Sequence, residues 1–187
     1  MHENQYMRKA AIVFSLLLLA VLFSGCTSEQ NTPNTSTGSP ASGAATIVSS
    51  SPKVYKIGEK FMLGELSYTV NNIEQYEALG SEFLNKTTEG MFYIVEITIE
   101  NNSNSEKNIT PSNDFSVTDE KGRTYTPSIE LAIYAQTMDY EAFAVIEKLP
   151  PGIPKTGVIV FEMPKETKGT MKIKPSWLSN EALVEFS

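Results

Sequence analysis

Cys26 is the only cysteine of the 187-residue chain, and His2 is its only histidine. An intramolecular disulfide and a cysteine-rich zinc site are therefore excluded. After residue 26 neither residue type occurs. That removes Ser-His-Asp catalysis, Cys-His catalysis and histidine-built metal sites from the rest of the chain. Carboxylates, hydroxyls, lysines and tyrosines remain. Asp114, Asp119 and Glu120 lie close together in sequence and could offer oxygens to a hard cation such as Ca²⁺. Their spacing is not that of an EF-hand loop, and a solvated turn that uses Asp for its conformational preference accounts for the same residues. With 22 acidic residues in the chain, some carboxylate pair will sit at a glycosidase separation by chance, so such pairs single out no hydrolase. No G-x-S-x-G element and no phosphate-cradling glycine motif occurs. We expect no enzymatic activity and no cofactor.

The aromatic residues are the better candidates for a binding role. Tyr76, Phe83, Tyr134 and Tyr140 fall in or near segments that read as loops or a short helix. Exposed there, they could stack on sugars or on peptide side chains. Buried, they would cap the ends of a sandwich, the commoner fate of large aromatics. Trp177 follows Pro175-Ser176 and precedes Leu178, and is expected to pin the C-terminal segment to the core. Lysine and arginine number 15 against the 22 acids, a formal charge of −7. That balance argues against a nucleic-acid partner, since phosphates are held by clustered basic residues.

The first 26 residues carry an address. Arg8 and Lys9 precede a 14-residue apolar run, residues 10–23, interrupted only by Ser15. A helix that crosses the hydrocarbon core needs about 20 residues, whereas a secretory signal needs about 7–15. Ser24 and Gly25 follow, then Cys26. Leu22-Phe23-Ser24-Gly25-Cys26 resembles the lipobox of secreted lipoproteins, with Phe23 in place of the usual Leu. The resemblance implies cleavage after Gly25, thioether lipidation of Cys26, and a membrane as partner through that lipid, on the extracytoplasmic face. An ordinary signal with a chance cysteine, or an uncleaved anchor, are the alternatives. Residues 1–6 are polar and add nothing to a signal, so Met7 is an alternative start.

Residues 27–52 consist mainly of Ser, Thr, Asn, Pro, Gly and Ala, with one charge, Glu29, and two large aliphatics, Ile47 and Val48. Such a segment cannot bury enough apolar area to offset chain entropy and is expected to be a disordered tether. It reaches about 85 Å when extended and about 28 Å as a flexible coil. Asn34, Asn85, Asn101 and Asn108 each begin an N-x-[ST] triplet, which matters only where Asn is glycosylated outside the cell.

From residue 53 onward apolar and polar residues alternate. Met91, Tyr93, Val95, Ile97 and Ile99 share one face of a strand whose other face turns polar at Glu96, Thr98 and Glu100. Leu66, Tyr68 and Val70 alternate likewise, and Asn71-Asn72 shifts the phase before Ile73, which predicts a bulge. Phe115-Val117, Phe143-Val145, Ile159-Phe161-Met163 and Ala182-Val184-Phe186 repeat the two-residue period. Asp119-Glu120-Lys121-Gly122 predicts a hairpin with Gly in the left-handed position. Residues 77–90 read as a longer loop and a candidate functional loop. Residues 126–138 predict the one helix, capped by Thr126, with Pro127 in its first turn and Ile129, Ala132 and Ile133 near one face. Many short strands in about 135 residues, with almost no helix to cross over between parallel ones, predict an antiparallel β-sandwich.

The order of pieces in this region resembles the Ig-like lipoprotein family known as domain of unknown function 4352. The matching pieces are Ile57-Gly58, then Leu66-Ser67-Tyr68-Thr69-Val70, then the strand from Phe92 into Glu100-Asn101-Asn102. Phe115-Ser116-Val117-Thr118-Asp119, Gly122, Tyr125, Leu149-Pro150-Pro151-Gly152, the run from Gly157 to Phe161, and Pro164 follow. The resemblance implies an Ig-like β-sandwich on a membrane-tethered lipoprotein and transfers no catalytic residue. The expected organisation is a signal peptide at 1–25, a lipidated tether at 26–52 and an all-β, antiparallel Ig-like β-sandwich domain at 53–187. The expected function is non-enzymatic binding of a protein or cell-envelope component, with a carbohydrate- or Ca²⁺-binding domain as the alternative.

Overall fold

The computed structural model describes residues 53–186; the signal, Cys26 and the tether lie outside them. Two sheets enclose the core. A four-stranded sheet is ordered β2 (Phe61–Leu63), β3 (Leu66–Gly80), β4 (Asn85–Asn101), β9 (Lys155–Met163). A five-stranded sheet is ordered β1 (Val54–Tyr55), β11 (Ala182–Phe186), β10 (Gly169–Ile173), β6 (Phe115–Asp119), β7 (Thr124–Tyr125). A small ribbon pairs β5 (Lys107–Ile109) with β8 (Glu147–Leu149). All these pairs are antiparallel except β1 with β11, which is parallel. The expected antiparallel sandwich is present, with this one parallel pair added at an edge.

Period-two alternation decides which residues meet. On β4, Tyr93, Val95 and Ile97 face inward and stand opposite Phe161, Ile159 and Gly157 of β9. Tyr68, Val70 and Ile73 of β3 stand opposite Ile99, Ile97 and Val95. Phe115, Val117, Met171, Ile173, Val184 and Phe186 complete the core from the other sheet. Burial of side chains of this size contributes about 1.5–3 kcal/mol each. The register shift at Asn71 is the bulge predicted from Asn71-Asn72. Gly122, at φ 78°, closes the predicted β6–β7 hairpin.

Several expectations need correction. Residues 77–90 are not a loop: β3 continues to Gly80, β4 begins at Asn85, and only residues 81–84 turn. The arms of this hairpin bury little besides Leu79, so no apolar period marks them; the backbone ladder Ala78–Thr87, Leu79–Lys86, Gly80–Asn85 makes them strands. Gly80 is required there. Its φ is 107°, and a Cβ would stand 1.9 Å from the carbonyl oxygen of Leu84.

Phe143-Val145 forms no strand: Phe143 is buried, Val145 is exposed, and their backbone meets β9 only at Val158. Among the described residues, apart from the single turn α1 (Pro111–Asp114), helix is confined to α2 (Ile129–Gln136). Its cap is Ser128, whose hydroxyl accepts from the Leu131 N–H at 3.3 Å, rather than Thr126. The buried row of α2 is Leu131 and Ala135, four apart; Ile129 and Ile133 form the neighbouring row and are 45% and 54% exposed. Trp177 does not enter the core. It is 40% exposed, while Leu178 beside it packs against core residues.

Candidate functional site

The outer face of the four-stranded sheet has two halves. Ser67, Thr69, Asn71, Glu96, Thr98, Glu100 and Thr156 form a polar half, cross-linked by Asn71 to Glu96 at 2.8 Å and by Thr98 to Thr156 at 2.8 Å. Phe92 and Ile94 of β4 and Val158 and Val160 of β9 form an apolar half, which α2 covers with Leu131 and Ala135. This second small core recruits Leu79, Tyr76, Tyr134 and Tyr140.

Three of the four candidate aromatics therefore gather on one face, and the chain positions each differently. Tyr76 stands on β3, opposite Phe92. Tyr140 follows α2, where Asp139 at φ 66° turns the chain back toward the sheet. Their hydroxyls are 2.6 Å apart, and both reach Oε2 of Glu74, at 2.6 Å from Tyr76 and 2.7 Å from Tyr140. The rings meet edge to face with centroids 6.4 Å apart. The Asn72 amide donates to the other Glu74 oxygen at 3.0 Å. Hydrogen bonds from Tyr76 and Tyr140, with a lesser one from Asn72, hold the Glu74 carboxyl below the usual carboxylate range. Burial first, then the bonds to Tyr76 and Glu74, push the Tyr140 phenol well above its ordinary value. The bond to Glu74 pushes Tyr76 up likewise. At neutral pH the carboxylate is charged and both phenols keep their protons. The cluster ties the end of the helical segment to the sheet.

Tyr134 lies one turn along α2 from Glu130. Lys86 of β4 pairs with Glu130 at 2.7 Å and stands 5.9 Å from the Tyr134 ring centroid. Phe83 is separate from the three tyrosines. It sits at the tip of the β3–β4 hairpin and is 95% exposed, with half-exposed Leu84 beside it. The hairpin continues past Gly90, the last β4 residue before the β9 pairing begins at Met91 with Met163, so its tip projects from that end of the four-stranded sheet.

The proposed cation cluster does not assemble. Asp114 ends α1, just before β6 begins, and Asp119 ends β6, so the extended strand holds them about 17 Å apart. Asp114 is buried and accepts from the Thr110 N–H at 2.8 Å and the Ser176 N–H at 3.1 Å; burial raises its carboxyl above the usual value. Asp119 is buried within the hairpin turn. Oδ1 accepts from the N–H groups of Lys121 and Arg123, and Oδ2 from Arg123 Nε at 2.6 Å and the Tyr125 hydroxyl at 3.1 Å. Burial pushes that carboxyl up, but the Arg123, Tyr125 and Lys121 bonds outweigh it and hold it low. Its acceptor positions are occupied within the turn, and Glu120 points to solvent. Among the described residues no three carboxylates converge to hold a metal.

Of the glycosylation triplets, Asn101 is closed. Its buried amide donates to the carbonyls of Ser105 and Leu149 at 2.8 Å each. Asn85 and Asn108 are exposed.

Sequence reasoning missed one feature here. A shallow apolar cleft lies where α2 meets β9, lined by Pro127, Ile129, Ala132, Phe143, Val145 and Val158. Its volume is about 20 Å³, room for about one water. The available signal was the apolar pair Ile129 and Ala132 of α2. No helix among the described residues is long and apolar enough to cross a membrane.

Known proteins are similar to this chain in sequence or in fold. An uncharacterized protein of Bacillus subtilis, YxkC, is 29% identical over 144 residues, covering 72% of this chain and 76% of the relative. The crystal structure of the Bacillus subtilis yjhA protein superposes with a TM-score of 0.55 at 21% identity, over 72% of this chain and all of that one. The Bacillus subtilis ycdA protein, described as a candidate lipoprotein, superposes with a TM-score of 0.52 at 10% identity, over 68% of this chain and 38% of that one. A family profile described as Domain of unknown function (DUF4352) matches residues 55–183. The chain, with its β-sandwich and helix-covered outer face, belongs to the DUF4352 family.

Proposed function

We propose that the mature protein is a non-enzymatic, lipid-anchored extracytoplasmic module that binds a protein or another cell-envelope component through the tip of the β3–β4 hairpin. The observation that carries the binding site is Phe83. A phenyl ring left 95% exposed on a projecting hairpin costs solvation without contributing to the core. Its neighbour Leu84 extends the apolar tip, and Lys86 and Tyr134 flank its base. The basic, apolar, small, cysteine order of residues 8–26 supports the address. So does the fold shared with ycdA. Tyr76 and Tyr140 spend their hydroxyls on Glu74, so they support the site rather than form it.

Two measurements test this reading. Replacing Phe83 with a photo-reactive residue in the membrane-bound chain should give a discrete cross-linked envelope species. The same probe at Thr124, on the opposite sheet, should not. Indistinguishable products from both positions would remove the hairpin tip as the binding site. Cys26→Ser should release the chain from membranes and abolish lipid labelling; unchanged fractionation would remove the lipid anchor.

A further inference from the structure

The chain enters the described domain at Lys53, and the place of that residue is set by the one parallel strand pair. Val54 stands beside Leu183 and Tyr55 beside Val184. β11 begins at Ala182 and runs toward Phe186. Lys53 is therefore level with the loop that joins β10 to β11, residues 174–181, which contains Trp177. The β3–β4 hairpin projects from the opposite end, where Met91 pairs with Met163.

The loops at the Lys53 end touch one another. Lys107 pairs with Glu65 at 2.6 Å and stands 5.3 Å from the Trp177 ring centroid. The Asn102 amide reaches Met62 Sδ at 3.8 Å, and the Gly152 N–H donates to the Asn101 carbonyl at 2.7 Å. Three large apolar side chains on this end face solvent: Met62, Ile153 and Trp177. The Trp177 indole N–H is satisfied by the Asn108 carbonyl at 3.2 Å, so the ring can leave water without stranding a donor. The acids Glu65 and Glu106 are each held by a lysine, Lys107 and Lys148. This end of a −7 chain is balanced in charge and is not repelled by an anionic surface.

We propose that this end rests on the lipid headgroup region of the membrane, with Trp177 as its interfacial anchor and Met62 and Ile153 beside it. Trp is favoured at that depth because its ring is apolar at one edge and polar at the other. Only 26 residues separate Cys26 from Lys53, and a chain of that length with flexible-coil dimensions spans about 28 Å, short enough to keep this end near a bilayer that holds Cys26. The hairpin tip then points away from the membrane. This inference rests on the lipid anchor proposed above.

Trp177 is the only tryptophan in the chain, so its emission reports this contact alone. The full lipidated chain, reconstituted in phosphatidylglycerol–phosphatidylcholine vesicles, should show blue-shifted emission relative to the Cys26→Ser chain. Brominated acyl chains should quench it about twofold. A chain that keeps Trp177 and carries a bimane label on Phe83→Cys, with Cys26 capped by its lipid, should float with the vesicles and its label should escape quenching. A chain that floats but whose Trp177 is neither shifted nor quenched overturns the docking and leaves the anchor standing. Quenching of the label at position 83 overturns the orientation. A lipidated chain that fails to float overturns both docking and anchor.

Discussion

The hydroxyls of Tyr76 and Tyr140 lie 2.6 Å apart, 64 positions apart in the chain, and share one oxygen of Glu74. One phenol belongs to a strand and the other to the segment after the only helix of more than one turn among the described residues. Their meeting closes the helical cover over Phe92, Ile94, Val158 and Val160.

Removing the Tyr140 hydroxyl tests this closure. Tyr140→Phe keeps the ring packing and loses the hydrogen bond that its hydroxyl donates to Glu74. Such a bond is worth about 0.5–1.5 kcal/mol net, so a loss of about 1 kcal/mol is expected in urea unfolding.

The same cluster sets an acid limb of stability. Glu74 titrates lower in the folded chain than in the unfolded one. Its contribution is complete above the unfolded carboxylate value, about 4.3, and is lost as pH falls through the lower folded value. Melting temperatures of the parent chain and Glu74→Gln should therefore converge as pH is lowered below the unfolded carboxylate value, the variant being less stable above it. A constant gap between the two curves would show that Glu74 titrates alike in both states.

Asp119 should prove structural rather than cation-binding. Asp119→Ala strands the Arg123 and Lys121 N–H groups and the Tyr125 hydroxyl, and a loss of about 2–3 kcal/mol is expected. Added Ca²⁺ should leave the melting temperature of the parent chain unchanged, because ligand binding to the folded state alone would raise it.

The two rows of α2 should respond oppositely to truncation. Leu131→Ala empties the contact with the outer sheet face and is expected to cost about 2–3 kcal/mol. Ile133→Ala, on the exposed row, should stay within about 0.5 kcal/mol. Equal losses from the two would mean that both rows are covered in solution.

Gly80→Ala should destabilise the hairpin beyond the ordinary cost of a left-handed residue, about 1–2 kcal/mol, because the new Cβ also meets the Leu84 carbonyl. Gly122→Ala, with open space around the Cβ position, should show only that ordinary cost. Faster amide exchange confined to residues 77–90 would localise the first effect.

The sequence alone was sufficient wherever structure follows from short-range alternation or turn chemistry. Met91 to Ile99, Leu66 to Val70, the Asn71 bulge and the Asp119–Gly122 hairpin were readable because a half-buried strand must repeat every two residues and a tight turn needs particular backbone angles. The order of these pieces also carried the family. Segments stabilised by contacts distant in sequence were not readable. The β3–β4 hairpin arms pair through backbone groups that leave no apolar period, so they passed for a loop. The buried row of α2 depended on where Phe92, Ile94, Val158 and Val160 would need cover, and the pattern favoured Ile129 and Ile133 instead. Asp114 and Asp119, five positions apart, suggested a cluster that an extended strand keeps apart. Phe83 and Trp177 could each be named in advance, yet only the parallel pairing of β1 with β11 and the projection of the hairpin placed them at opposite ends, because an end of a sandwich is a property of strand direction and not of any local run of residues.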